Sequence, residues 1–98
     1  MEIEKEVLIC YDIESNKKRE KLRKELKELG FVSIQKSVMW GFVFPAEIRA
    51  AQRILKKYVN DEGDCAFIVN TKLSEDDLYF QIGHENMFKK YKEPYLVV

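Results

Sequence analysis

One carboxylate stands out as a residue able to do chemistry. In Glu6–Asn16, reading E-V-L-I-C-Y-D-I-E-S-N, an apolar and aromatic run from Val7 to Tyr11 has the length and composition of a buried strand. Asp12 interrupts that run before Ile13 and a polar turn. A carboxylate near the end of a buried strand is costly to desolvate unless something binds it. Two roles suit it: an acid that meets a metal ion or a donor-rich loop, and a turn or capping aspartate. His84, the single histidine, has no partner motif and reads as a surface-loop residue. Cys10 and Cys65 lie in apolar runs without C-x-x-C spacing, which predicts reduced, buried thiols of a cytoplasmic protein.

The second chemical feature is charge. The net charge of the 98 residues is zero, but the signs are segregated. Residues 17–29 carry seven bases against Glu20, Glu25 and Glu28. Residues 31–59 carry Lys36, Arg49, Arg53, Lys56 and Lys57 against Glu47 alone. Residues 1–16 and 60–86 are acidic. Basic stretches of this kind can lie along a phosphate backbone, and they also serve as solvated helix faces.

These residues need elements to hold them. Leu22, Leu26 and Leu29 give a helix over Lys17–Leu29, with Ser15 or Asn16 at its start and Gly30 at its end. Phe31–Met39 reads as a strand, Trp40-Gly41 as a turn, and Phe42-Val43-Phe44 as a return strand. Pro45 opens a second helix with Ile48, Ala51, Leu55 and Tyr58 on one face. Cys65–Val69 reads as a buried strand, and Leu78–Ile82 as a fifth. The chain is expected to be one domain over 1–98, with a core over 6–70 and a tail over 84–98. No apolar run reaches membrane length, and the N-terminus does not read as a signal peptide.

The order β-α-β-β-α-β predicts an α+β fold: a ferredoxin-like antiparallel sheet with both helices on one face. Two helices cover one face only. Yet Val7-Leu8-Ile9-Cys10-Tyr11 and Cys65-Ala66-Phe67-Ile68-Val69 are apolar on both parities. A second copy packed face to face is the simplest closure, so a homodimer is expected.

Taken together these residues resemble a known family. Tyr11-Asp12-Ile13, Arg19 and Lys21, Leu29-Gly30, Ile34-Gln35-Lys36-Ser37-Val38-Met39-Trp40-Gly41 and Phe44-Pro45-Ala46-Glu47 occur in the order seen in the small CRISPR-associated endonuclease of the spacer-acquisition machinery. The resemblance covers residues 6 to 70 and reaches the 78–83 segment. It implies a cytoplasmic homodimer acting as a metal-dependent endoribonuclease, or on DNA, and as a structural partner of a CRISPR-associated integrase. It implies that the 78–83 segment pairs with the partner subunit. It also implies that Asp12 is the catalytic and metal-binding acid, with Mg2+ or Mn2+ held between the two Asp12 side chains of a dimer. Magnesium keeps several waters, so one or two carboxylates with a substrate phosphate suffice. Arg19 and Lys21, with Arg53, are the residues expected to hold nucleic acid. Ser33 and Met39 stand where the family often has arginine and phenylalanine, and Ser15-Asn16 replaces a second acid. Tyr11 is expected to pack, and Ser37 to be an ordinary strand hydroxyl.

Other classes share this topology. A single-stranded RNA binder of the RNA-recognition type would use Gly41-Phe42-Val43-Phe44 on an open sheet. The same dimer could act as a scaffold that binds nucleic acid without cutting. A toxin-like messenger-RNA nuclease is a further alternative.

Overall fold

The computed structural model describes residues 3–73, 79, 80 and 82. The elements are β1 (Lys5–Asp12), α1 (Asn16–Glu28), β2 (Val32–Gln35), β3 (Val38–Val43), α2 (Pro45–Tyr58) and β4 (Cys65–Asn70). The four strands form one antiparallel sheet in the order β2-β3-β1-β4. This is the α+β, ferredoxin-like arrangement expected from the element order.

Local chemistry sets the helix ends. The Ser15 hydroxyl accepts from the Lys18 amide at 3.2 Å, which caps α1. After Leu29 the chain takes φ +111° at Gly30, a left-handed value that suits a residue without Cβ. The amides of Gly30 and Phe31 then donate to the carbonyls of Lys27 and Leu26. Pro45 opens α2, where the Glu47 carboxylate accepts from the Phe44 amide at 2.9 Å.

The hairpin falls elsewhere than the sequence suggests. Gln35 pairs with Val38, so the turn is Lys36-Ser37, and Trp40-Gly41 lies in the middle of β3. Ser37 therefore belongs to the turn, where its carbonyl accepts from the Tyr11 amide at 3.1 Å. Gly41 is a packing residue: a Cβ there would lie 3.0 Å from the Gly30 carbonyl oxygen and 3.3 Å from the Phe31 Cα. A glycine inside a strand marks such a close backbone approach.

Alternate residues of β1 face opposite ways. Val7, Ile9 and Tyr11 pack with Leu22, Leu26, Phe31, Met39, Val43 and Ala51 into the core beneath both helices. On the other face Leu8, Val32, Val38, Phe42 and Leu73 surround Ile34 and Trp40, and Trp40 is fully buried. The expected second apolar face is present. β4 differs from its expected burial, because its own far edge has no neighbouring strand among the described residues. Phe67 is 58% and Val69 43% exposed, Cys65 is exposed, and Cys10 is half-buried. The two thiols are thus not core residues, because their strand parity points them away from the helices.

Tyr79, Phe80 and Ile82 are exposed and lie outside any strand, while the rest of the expected fifth strand and the 84–98 tail fall outside the described residues. His84 falls outside them as well. No helix among the described residues is long and apolar enough to cross a membrane.

Candidate nuclease site

Asp12 is the last residue of β1 and is exposed. Its strand parity matches Leu8 and Cys10, so it belongs to the face that the helices leave uncovered. Register sets it directly opposite Cys65 of β4. Sequence reasoning missed that neighbour, since only strand pairing reveals it. The thiol of Cys10 stands on the same face, and its partial burial pushes its pKa up.

The turn after Asp12 is held by two side chains. Arg19 Nη1 donates to the Ile13 carbonyl at 2.5 Å, and Nη2 donates to Asn16 Oδ1 at 2.6 Å. Asp64 Oδ1 accepts from the Glu14 amide at 3.0 Å, and Oδ2 accepts from the Asn60 amide at 3.1 Å. The hydrogen bonds from Glu14 and Asn60 hold the Asp64 carboxyl below its usual range. Asp64 also lay outside the sequence reading, where it was one acid among many in a charged stretch.

Tyr11 is buried and its hydroxyl is 3.5 Å from the Lys36 carbonyl oxygen, to which it donates. Burial pushes its phenol up, while Arg23 and Arg19 pull the other way. It remains a neutral packing residue, in line with the sequence reading. Met39 is fully buried under the helices, so it packs in the core. Ser33 donates its hydroxyl to the Gln35 carbonyl at 3.1 Å, within the irregular stretch of β2.

The basic residues divide. Arg19 is half-buried and sits at the Asp12 end of β1 through its bond to Ile13. A guanidinium has five N–H donors, so Arg19 retains donors for a phosphate. Lys21 and Arg53 are exposed on α1 and α2, the layer on the opposite side of the sheet from the Asp12 face. The helices are tied together by Glu25, which accepts from the Tyr58 hydroxyl and from Lys57 Nζ at 3.1 Å.

Among the described residues no three His, Cys, Asp or Glu side chains converge as a metal-ligand set. Among the described residues, the open sheet face at this end offers a hard divalent cation the Asp12 carboxylate. The adjoining Cys65 sulfur is a softer donor that magnesium does not favour. A cation of this class takes one or two carboxylates and completes its shell with water and a substrate phosphate, and the exposed Asp12 carboxylate is an oxygen donor of that kind.

The family model described as CRISPR associated protein Cas2 matches residues 5–89. A relative from Francisella tularensis subsp. novicida, named CRISPR-associated endoribonuclease Cas2 1, is 37% identical over 94 residues, which is 95% of this chain and 96% of that protein. One of the same name from Archaeoglobus fulgidus is 34% identical over 62 residues, 63% of this chain and 66% of that protein. The Streptococcus pyogenes Cas2 structure at pH 6.5 superposes with a TM-score of 0.67 at 20% identity, covering 80% of this chain and 99% of that one. A hypothetical protein of Thermus thermophilus gives a TM-score of 0.65 at 21% identity, covering 71% and 84% of the two chains. With the fold shared and the family match running through both helices and all four strands, this chain belongs to the CRISPR-associated protein Cas2 family.

Proposed function

We propose that this chain is a CRISPR-associated endoribonuclease of spacer acquisition, working in the cytoplasm as a face-to-face homodimer beside an integrase subunit. The endoribonuclease names of its relatives support the activity. The observation that carries the site is the place of Asp12: an exposed carboxylate at a strand end, on the side of the sheet away from the helices. A second copy laid on that face would cover Phe67 and Val69 and supply a second Asp12. Leu78–Ile82, crossing to the partner's sheet edge, would extend the same interface.

The two Asp12 carboxylates would hold a Mg2+ or Mn2+ ion. When bound, such an ion polarises a phosphate oxygen and lowers the pKa of its water. Asp12 fixes where the scissile phosphate sits, and Arg19 binds and orients the backbone at the same end of the sheet. Lys21 and Arg53 add affinity along the helices. In the test, Asp12→Asn keeps the shape and removes the charge. Magnesium-dependent cleavage of single-stranded RNA should disappear while RNA binding stays near wild type. Cleavage that persists in the purified variant would remove Asp12 from the chemistry.

One observation favours a second reading, a scaffold that binds without cutting. Lys21 and Arg53 lie on the helix layer, so a duplex could follow them without reaching Asp12. Charge reversal at Arg53 should then weaken DNA binding and flatten its salt dependence, with no cleavage by the wild type under any divalent cation.

A further inference from the structure

We propose that Asp64 is a positioning residue for the site at Asp12, gripping the Ile13–Glu14 peptide unit one residue beyond it. This rests on the reading of Asp12 as the metal-binding carboxylate. The Ile13 carbonyl and the Glu14 amide belong to one planar peptide group. Arg19 holds its oxygen at 2.5 Å and Asp64 holds its N–H at 3.0 Å. The peptide plane one residue beyond Asp12 is therefore fixed from both ends, and Ile13 links it to Asp12.

Asp64 is itself firmly placed. Its second oxygen accepts from the Asn60 amide at 3.1 Å, and its own amide donates to the Asn60 carbonyl at 2.7 Å. The Gly63 amide donates to the same carbonyl, and the Asn60 side chain accepts from Glu62, so residues 60–64 form a self-bonded loop. The next residue, Cys65, pairs with Asp12 in the sheet. Asp12 is thus bracketed along the chain through Glu14 and across the sheet through Cys65, and both routes meet at Asp64. Arg19 has a second duty toward substrate. If a phosphate draws its guanidinium away from Ile13, Asp64 is the remaining anchor of the turn. Groups that orient a metal ligand from outside the ligand set typically cost about 10–100-fold in metal affinity or activity when they are lost.

The test uses the full-length chain with Asp64→Ala and Asp64→Asn, and Glu25→Gln as a control that loosens the helices far from the turn. RNA cleavage is read as separate kcat and KM, Mn2+ binding by paramagnetic relaxation of water, and Glu14 by amide exchange. Asp64→Ala should lower kcat and Mn2+ affinity by about tenfold each, leave KM for RNA near wild type and speed Glu14 exchange. Asp64→Asn, which keeps one accepting oxygen, should fall between Ala and wild type, and it carries the test if the alanine variant does not fold. Glu25→Gln should leave kcat and Mn2+ affinity unchanged. Asp64 variants that match wild type in both quantities overturn this inference alone. A wild type that neither cleaves RNA nor binds Mn2+ overturns the reading of Asp12 and this inference with it.

Discussion

The two faces of one sheet are built from the same strands but are covered differently. Towards the helices, Val7, Ile9 and Met39 are at most 1% exposed, and α1 and α2 of the same chain seal them. On the other side cover is uneven. Around β2 and β3, Trp40 is fully buried, and its indole N–H donates to the Glu6 carboxylate at 2.9 Å. Phe42 meets the Trp40 ring edge-on at 5.5 Å. Around β4, Phe67 and Val69 lie open, beside Cys65 and Asp12. Apolar residues on both strand parities therefore mean two interfaces, of which this chain completes one and part of the other. The candidate site lies at the incomplete part, so on our account association and chemistry meet at the same place.

The closed part of that second face should be the more costly to disturb. Trp40→Ala removes a fully buried ring and leaves the Glu6 carboxylate without its indole partner, and it should destabilise the chain by about 3–5 kcal/mol in urea unfolding. A cost below about 1 kcal/mol would mean that the Trp40 cluster is not a true core. Gly41→Ala tests the close approach on the helix side. Backbone atoms of Gly30 and Phe31 stand in the way of the new methyl, so a loss of about 1–3 kcal/mol is expected.

The open part should respond in association rather than in folding. Phe67→Asp should change the unfolding free energy of the single chain by about 0.5 kcal/mol or less. Light scattering should nevertheless drop from twice 11.7 kDa to the single-chain mass at micromolar concentration. An unchanged mass would place the dimer contact elsewhere.

The smallest effect belongs to the exposed clamp between the helices. Hydrogen bonds from Tyr58 first, then Lys57, hold the Glu25 carboxyl below its usual range. Its folded-state pKa is thus below its unfolded one. The clamp is fully stabilising at neutral pH and is lost as the pH falls through the folded value. Glu25→Gln should flatten the acid limb of a stability-versus-pH curve slightly. Because the same carboxylate holds the Lys57 and Tyr58 pKa values up, it should also slightly flatten the loss of stability at strongly basic pH. A slope identical to wild type would mean that the clamp contributes nothing.

The contrast between the faces also explains what the sequence could disclose. Element order, both helices and the apolar character of both faces follow from local patterns: the leucine spacing of α1, Pro45, and strands without polar alternation. The hairpin turn is not legible, because Trp-Gly resembles a turn pair, whereas Gly41 answers to Gly30 and Phe31, which approach it only in the folded chain. Cys65 looked buried because its neighbours are apolar, but edge position and parity decide exposure. Asp12 was legible as an acid that breaks an apolar strand. Asp64 and Cys65 were not, since their relation to Asp12 is set by strand register and by a loop some fifty residues away.

The central claim is that one chain holds half a site and that the open face brings the halves together. Mixing wild-type protein with Asp12→Asn protein, after unfolding and refolding to scramble the subunits, tests it most directly. If both carboxylates of a pair are needed, magnesium-dependent RNA cleavage should fall as the square of the wild-type fraction. Cleavage that falls in simple proportion to the wild-type fraction would mean that each Asp12 works alone, and would contradict the account.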